Sequence, residues 1–150
     1  MSSIQRELNV QRQLVLKSFS NKNAMQMGLQ IVDLAQKKGL IIGVEVSRLN
    51  HKVFLFIDDG LPADKHNWIR RKANVAKHFE ESSLAVKEDL AKGNMSLKDT
   101  FALDDRDYIA RGGSIPIMVE SAGLIATITV TGLADVDDHQ LIVDALQEYF

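Results

Sequence analysis

Cysteine is absent from the sequence, and its absence removes several functional classes at once. Without thiols the chain forms no disulfides, no thiolate-bound metal centre and no cysteine nucleophile. Proline is scarce, with two among 150 residues. The longest runs of mainly apolar residues, 53–57 and 124–128, are strand-sized and fall far short of the ~20 residues that a membrane-spanning helix needs. We therefore expect a single packed domain over residues 1–150.

An excess of charge of one sign is also lacking. Lysine and arginine number 18 and aspartate and glutamate number 20, which gives a net charge of −2. The chain therefore has no overall field that attracts nucleic acid or an anionic membrane. The first residues, MSSIQRELNVQRQ, contain no apolar segment of a signal peptide. We expect a cytoplasmic protein with neither nucleic acid nor membrane as a partner.

Hydrophobic periodicity predicts helices that alternate with β-hairpins. The predicted helices cover residues 20–38, 65–79, 83–91 and the chain from 135 onward, and a short helix is expected over 4–10 within a peripheral segment, 1–12. Hairpins are predicted within 40–60 and 114–132, and an edge strand over 13–17. The strand 53–57 is apolar on both sides, which predicts a central position in the sheet. Antiparallel hairpins with helices on both faces indicate an α+β, three-layer α/β/α domain.

Lys72 is the residue that fits its predicted helix least well. At about 100° per residue, it lies between Trp68 and Ala76 on the apolar face, whereas Arg70 and Arg71 fall on the solvent face. A lysine in that position either extends along the surface to water, pairs with a carboxylate or faces an internal pocket. The third alternative would offer a cation to an acidic ligand, and Trp68 would stack on a planar part of it.

Several other residues are candidates for binding. Gly112 and Gly113 either cradle an anion with their backbone N–H groups or form a turn. Thr131 belongs to a row of hydroxyls on one strand face, which lines a pocket floor or pairs across strands. His139 lies at the start of the last predicted helix, beside Asp138. The four histidines show no metal-ligand spacing, and no nucleophile elbow, P-loop or H-E-x-x-H motif occurs, so no metal site or catalytic residue is predicted.

Three blocks of sequence resemble a known family. They are WIRRKANVAKHF, ARGGSIPIMVESAGLIATITVTGL and DDHQLIVDAL. They are similar to the GlcG/HbpS-like superfamily of haem-degrading domains, and the tryptophan before Arg70 and the DDH at 137–139 most resemble its uncharacterised protein family numbered 0303. The resemblance implies a profilin-like fold with a five-stranded antiparallel sheet, a homo-oligomer assembled from dimers, and haem or another anionic cofactor as the ligand.

Two functional hypotheses follow. In the first, the chain binds a small anionic molecule between the Trp68 helix, the strand after Gly113 and the start of the last helix. The candidate ligand-binding residues are Trp68, Arg71, Lys72, Gly112, Gly113, Thr131 and His139. In the second, the chain is an interaction scaffold without ligand chemistry, and Trp68 and the apolar ends of the hairpins contact a neighbouring subunit. The sequence leaves open whether any reaction is catalysed.

Overall fold

A computed structural model describes residues 11–149 as five strands and five helices. The elements in chain order are β1 (Leu14–Leu16), α1 (Asn21–Lys37), β2 (Gly43–Arg48), β3 (His51–Ile57), α2 (Lys65–Phe79), α3 (Ser83–Lys92), α4 (Leu97–Phe101), β4 (Ser114–Val119), β5 (Gly123–Thr131) and α5 (Asp135–Tyr149). The helices predicted from residue 20 onward and both hairpins are present, and the edge strand predicted over 13–17 is β1. The helix predicted over 4–10 lies outside the described residues.

The five strands form one sheet in the order β1-β4-β5-β2-β3. The α+β class and the five-stranded sheet are therefore confirmed, but the prediction of a purely antiparallel sheet is wrong. β1 runs parallel to β4, with Leu14 opposite Ile117, and the other neighbours are antiparallel. Hairpin connections enforce antiparallel neighbours, whereas β1 reaches β4 only after most of the chain has intervened, so no local turn sets its direction.

The position of β3 also differs from the prediction. β3 pairs with β2 and forms one edge of the sheet, whereas its apolar residues predicted a central strand. Phe54 and Phe56 pack against the periphery of the main core, but neither is fully buried, and Leu55 is 40% exposed. An apolar sequence on both faces is therefore no evidence for a central strand here.

Helices cover both faces of the sheet. On one face α1 and α5 enclose the main core, whose largest fully buried side chains include Ile31, Ile117, Ile128 and Ile142. A Cβ at Gly28 would collide with the ring of Phe54. The absence of a side chain at Gly28 lets α1 lie close to the hairpin of β2 and β3.

On the opposite face α2 lies over β4 and β5 and touches β2 only at its margin. Its outer side packs with α3 and α4 through a smaller apolar cluster that includes Val75, Val86 and Leu97. Because α2 is displaced toward β4, this face of β2 and β3 is left beside a cleft. The cleft and the far end of α2 contain the two cavities described below.

Candidate functional site

Lys72 points into the protein and is bonded there. Its residue is 2% exposed, and its Nζ donates to the carbonyl oxygens of Gly112 (3.2 Å) and Val130 and to Oδ2 of Asp138 (3.1 Å). Three acceptors match the three N–H donors of an ammonium group. Of the three alternatives that the sequence left open, pairing with a carboxylate is the one that the structure shows.

The ion pair of Lys72 and Asp138 joins three elements: α2, the end of β5 and the first turn of α5. Both side chains are almost completely buried, and Oδ1 of Asp138 accepts a further bond from the backbone N–H of Leu133 at 3.0 Å. Burial lowers the pKa of Lys72 and raises the pKa of Asp138 to about 6, against the opposing attraction of the pair. At pH 7 Asp138 is therefore mainly ionised, and the pair fixes α2 and α5 against β5.

The predicted glycines lie directly against this pair. A Cβ at Gly113, whose φ is +126°, would come within 2.5 Å of the Lys72 Nζ and 3.0 Å of the Asp138 Cβ. A Cβ at Gly112 would collide with the backbone of Asp135. The Gly112–Gly113 turn is thus required by close packing on Lys72 and α5, and this packing explains both glycines without a ligand.

A small cavity of about 90 Å³ lies at the outer end of this cluster. Four of the predicted residues line it: Trp68, Lys72, Gly112 and Thr131. Its other lining residues are Lys65, Arg111, Leu133, Asp135 and Asp138. Small-molecule sites in proteins usually measure ~300–1,000 Å³, so this cavity has room for a few waters or a small ion only. The role of these residues in ligand binding stays a prediction.

Trp68, at the mouth of the small cavity, is surrounded by cations. The Nζ of Lys65 and the Cζ of Arg71 each lie 5.5 Å from a ring centroid of Trp68, and the Cζ of Arg111 lies 6.0 Å from one. These distances are in the range of cation–π contacts. Arg71 does not line the cavity, because its guanidinium donates to the carbonyl oxygen of Asp105. Its contact with Trp68 places it near the mouth.

His139 is separate from the other candidates. It is 2% exposed, and its Nε2 lies 3.0 Å from Oε1 of Gln11. Burial lowers its pKa, so the imidazole is neutral at pH 7. Its Nδ1 has no hydrogen-bond partner among the described residues. The structure therefore does not bring His139 to the small cavity, although Asp138, the residue before it, lines that cavity.

A larger cavity of about 410 Å³ lies between α2 and the open face of β2 and β3; we call it the α2 cleft. Its lining residues come from β2 and β3 (Glu45, Ser47, Lys52), from α2 (His66, Asn67, Arg70, Ala73, Asn74, Lys77) and from β5 (Thr127). The row of strand hydroxyls noted in the sequence thus reaches both cavities, with Thr127 in the cleft and Thr131 in the small cavity.

Glu45 is the buried charge of the α2 cleft. It is 6% exposed, and burial raises the pKa of its carboxyl group, while Lys52 opposes that change from 3.6 Å. Lys52, Arg70 and Lys77 supply cations around it, so among the lysine, arginine, aspartate and glutamate side chains of the lining the positive ones outnumber the negative by two. The cleft therefore presents a positive rim, side-chain amides and hydroxyls, and one buried acceptor.

Sequence reasoning missed most of this cleft. Arg70 was assigned to the solvent face of α2 and is indeed well exposed, but it also lines the cleft, as Lys77 does. Glu45 was not among the candidate binding residues. The available signal was that Glu45 lies between the apolar Val44 and Val46 on a strand that proves to be buried on both faces.

Within residues 11–149, no three histidine, aspartate or glutamate side chains lie close enough together to hold a metal ion. None of the helices in that part of the chain combines the length and the apolar character that crossing a bilayer requires.

Comparison with known proteins now identifies the family. Residues 19–147 match the family model described as haem-degrading protein HbpS-like. A protein of Paraburkholderia phymatum named UPF0303 protein is 35% identical over 133 residues, which cover 89% of this chain and 81% of that protein.

Solved structures show the same fold. The Ybr137w protein superposes with a TM-score of 0.83 at 24% identity, over 97% of this chain and 84% of the other. A structure described as a PduOC–haem complex superposes with a TM-score of 0.68 at 15% identity, over 85% and 94% of the two chains. At such identities the likeness concerns the fold alone. With most of its length matched by the family model and by an uncharacterised relative, the chain belongs to the HbpS-like haem-degrading protein family.

Proposed function

We propose that the chain binds a small organic anion in the α2 cleft. The observation that carries this proposal is the excess of cations, Lys52, Arg70 and Lys77 against Glu45, around a cavity of about 410 Å³. That volume is within the ~300–1,000 Å³ of ordinary small-molecule sites. The class of ligand that suits the cleft carries carboxylate or phosphate groups.

The cleft offers two kinds of contact to such a ligand. Arg70 is already held in place, because its guanidinium donates to Oδ1 of Asp107 (2.9 Å) and to the carbonyl oxygen of Arg106 (2.8 Å). Lys77 is a less constrained cation about two turns further along α2. At the floor, the buried Glu45 accepts hydrogen bonds, so a hydroxyl or amino group of the ligand would face it. These features favour a polar anion over an apolar one.

Haem is the second candidate, because the family is named for haem degradation and a structural neighbour is a haem complex. A buried haem needs apolar walls for its ring and an axial ligand, usually an imidazole. Among the ten residues that line the α2 cleft, Ala73 is the one apolar residue and His66 the one imidazole. The cavity beside Lys72, at about 90 Å³, is below the size of any cofactor site. Neither cavity therefore fits a buried haem.

The small cavity remains a second location for an anion, as the sequence predicted. Its mouth combines Trp68 with the cations of Lys65, Arg71 and Arg111. Lys72 itself has no unbonded donor for a ligand, since Asp138 and two carbonyl groups occupy it. Binding there would depend on Arg111 rather than on Lys72, which makes the two locations distinguishable by mutation.

Calorimetric titration with citrate and with AMP at low ionic strength tests the proposal. We expect saturable binding of at least one of them. Lys77→Gln should weaken it about tenfold, the equivalent of one charge-assisted hydrogen bond of about 1.5 kcal/mol. Glu45→Gln should strengthen it, because the substitution removes the negative charge at the floor. Lys92→Gln, at the exposed end of α3 and outside the lining of the cleft, is the matched control and should bind as the wild type does.

The outcomes separate the alternatives. No saturable heat with either anion would contradict the proposal and favour a scaffold without ligand chemistry. Binding that Arg111→Gln abolishes and Lys77→Gln leaves unchanged would place the anion in the small cavity. Titration with haemin is the third arm, and a saturable shift of the Soret band would favour haem.

A further inference from the structure

Glu45 is a buried carboxylate that accepts no hydrogen bond from residues 11–149. Its side chain is 7% exposed, and the Nζ of Lys52 lies 3.6 Å from its Oε2, which is beyond hydrogen-bond distance. Two neighbouring donors are engaged elsewhere, because the Ser47 hydroxyl and the Asn74 amide each donate to backbone carbonyl groups. A buried acceptor without a donor costs free energy. Since Glu45 lines the α2 cleft, a molecule in the cleft can supply the missing donor.

A second polar group of the cleft floor also lacks a partner. The hydroxyl of Thr127 forms no hydrogen bond with the described part of the chain, although this residue is 1% exposed. Thr127 is opposite Ser47 and Glu45 is opposite Thr129, so Thr127 and Glu45 are diagonal neighbours in the ladder of β2 and β5. The hydroxyl of Thr129, by contrast, is bonded to that of Ser114 at 2.9 Å. An acceptor and a hydroxyl that both lack partners thus line the same cleft.

The charges around Glu45 favour an uncharged donor over an ammonium group. Burial raises the pKa of Glu45, and Lys52, His66 and Lys77 act against that rise, so each of the three is close enough to affect the carboxyl group. The same cations would repel a ligand ammonium placed beside Glu45. An alcohol has one donor and two acceptor positions. It can therefore donate to Glu45 and accept from Thr127 without adding positive charge.

The charges of the lining also determine the other end of the ligand. Lys52, Arg70 and Lys77 against Glu45 leave a surplus of two positive charges, which a dicarboxylate neutralises. Arg70 and Lys77 lie on α2, on the wall of the cleft that faces the sheet. A guanidinium group binds a carboxylate through paired hydrogen bonds. The cleft thus offers cations on the helix and an alcohol site on the sheet.

Given the anion site proposed above, on which this inference rests, we propose that the α2 cleft selects a hydroxy-dicarboxylate. The carboxylate groups of the ligand bind Arg70 and Lys77, and its hydroxyl group donates to Glu45 and accepts from Thr127. Glu45 is then the residue that determines specificity. An anion without a hydroxyl group would displace water from Glu45 and leave the buried carboxylate without a donor. Sites that are built to bond a hydroxyl group reject the analogue that lacks it for this reason.

Three four-carbon dicarboxylates of similar size test the selection in the wild-type protein. At the same carbon atom malate carries a hydroxyl group, aspartate an ammonium group and succinate hydrogen alone. Both enantiomers of malate are titrated with the other two by calorimetry at pH 8 and low ionic strength. We expect one enantiomer of malate to bind at least about tenfold more tightly than succinate, the lower end of what a hydrogen bond to a charged group contributes. The same enantiomer should also bind more tightly than aspartate.

Substitutions then show which residue recognises the hydroxyl group. Glu45→Gln keeps the size of the side chain but removes its charge, so the preference for malate over succinate should fall to about threefold or less. Thr127→Val should reduce the same preference. Glu120→Gln, exposed in the turn between β4 and β5 and outside the lining of the cleft, is the matched control and should keep it. The preference is a ratio measured within each variant, so a general change in anion affinity or stability leaves it unaltered.

Four results would overturn the selection of a hydroxyl group. Equal affinity for malate and succinate would do so and leave the anion site itself intact. Tighter binding of aspartate than of malate would show that Glu45 receives an ammonium group instead. A preference for malate that is undiminished in Glu45→Gln would place the recognition of the hydroxyl group elsewhere. Absence of malate binding would overturn it as well, and the titrations with citrate and AMP then decide separately whether the cleft binds anions.

Discussion

Removal of the Lys72 ammonium group should destabilise the protein far more than removal of an ordinary surface lysine. Lys72→Met keeps most of the side-chain volume but leaves the Asp138 side chain, which is 4% exposed, without its cation. Breaking a buried pair from one side costs about 3–5 kcal/mol, and for a chain of this size that lowers Tm by about 6–20 °C. The carbonyl oxygens of Gly112 and Val130 lose a donor in the same variant.

The control is Lys37→Met, which removes a lysine from another pair with an aspartate. The Nζ of Lys37 lies 2.9 Å from Asp33, but the two side chains are 69% and 53% exposed. Exposed pairs four residues apart in a helix contribute about 0.3–0.5 kcal/mol, so the Tm of this variant should change little. The double variant Lys72→Met with Asp138→Asn removes the orphaned charge and should recover part of the lost stability.

Denaturant unfolding followed by circular dichroism measures these differences at two pH values. Without Lys72 the pKa of Asp138 should rise above its value of about 6, so the carboxyl group is neutral at pH 5 and its burial costs less. The loss of stability in Lys72→Met should therefore be smaller at pH 5 than at pH 7.5. A loss below 1 kcal/mol at pH 7.5, or one that matches Lys37→Met, would refute the reasoning that Lys72 fixes the fold.

Two further predictions concern the same cluster. The pKa of Asp138 is about 6 in the folded chain and ordinarily 3.8, so the folded state binds the proton more tightly than the unfolded state does. The free energy of unfolding of the wild type, relative to that of Asp138→Asn, should therefore fall as pH rises from about 4 to about 6. A difference between the two proteins that stays constant or increases over this range would contradict the prediction. Gly113→Ala should lower Tm much more than Gly123→Ala, since both glycines have positive φ but only at Gly113 does the added Cβ meet Lys72, Val130 and Asp138. Equal losses in the two alanine variants would show that backbone strain alone decides the effect.

The sequence predicted the helices well because their ends are encoded locally. The helix α1 begins after Ser20, whose side chain accepts from the N–H of Asn23 while the Asn23 side chain accepts from the Ser20 N–H, a capping box. Likewise α3 ends at Lys92, and Gly93 is its C-cap. The order of strands depends on pairings between distant segments, which local patterns do not report. The edge position of β3 and the direction of β1 were therefore missed for the same reason.

The candidate site was predicted in part. The helical wheel placed Lys72 on the apolar face of α2, and that face is buried in the structure, because the periodicity of one helix decides which face is covered. The wheel could not identify the carboxylate that pairs with Lys72, because Asp138 is 66 residues away in the sequence. The α2 cleft was missed because it depends on the displacement of α2 toward β4, which leaves Glu45 and Lys77 facing one space. The ligand role of the predicted residues, the profilin-like topology and the oligomer stay predictions.

The most direct test of the anion site is to locate citrate or AMP on the protein by amide chemical shifts during a titration. We expect saturable shift changes at Ser47, Asn67, Asn74 and Thr127, all of which line the α2 cleft, with little change at Arg111. Changes centred on Trp68 and Arg111, or no saturable change with either anion, would contradict the assignment of the α2 cleft as the binding site.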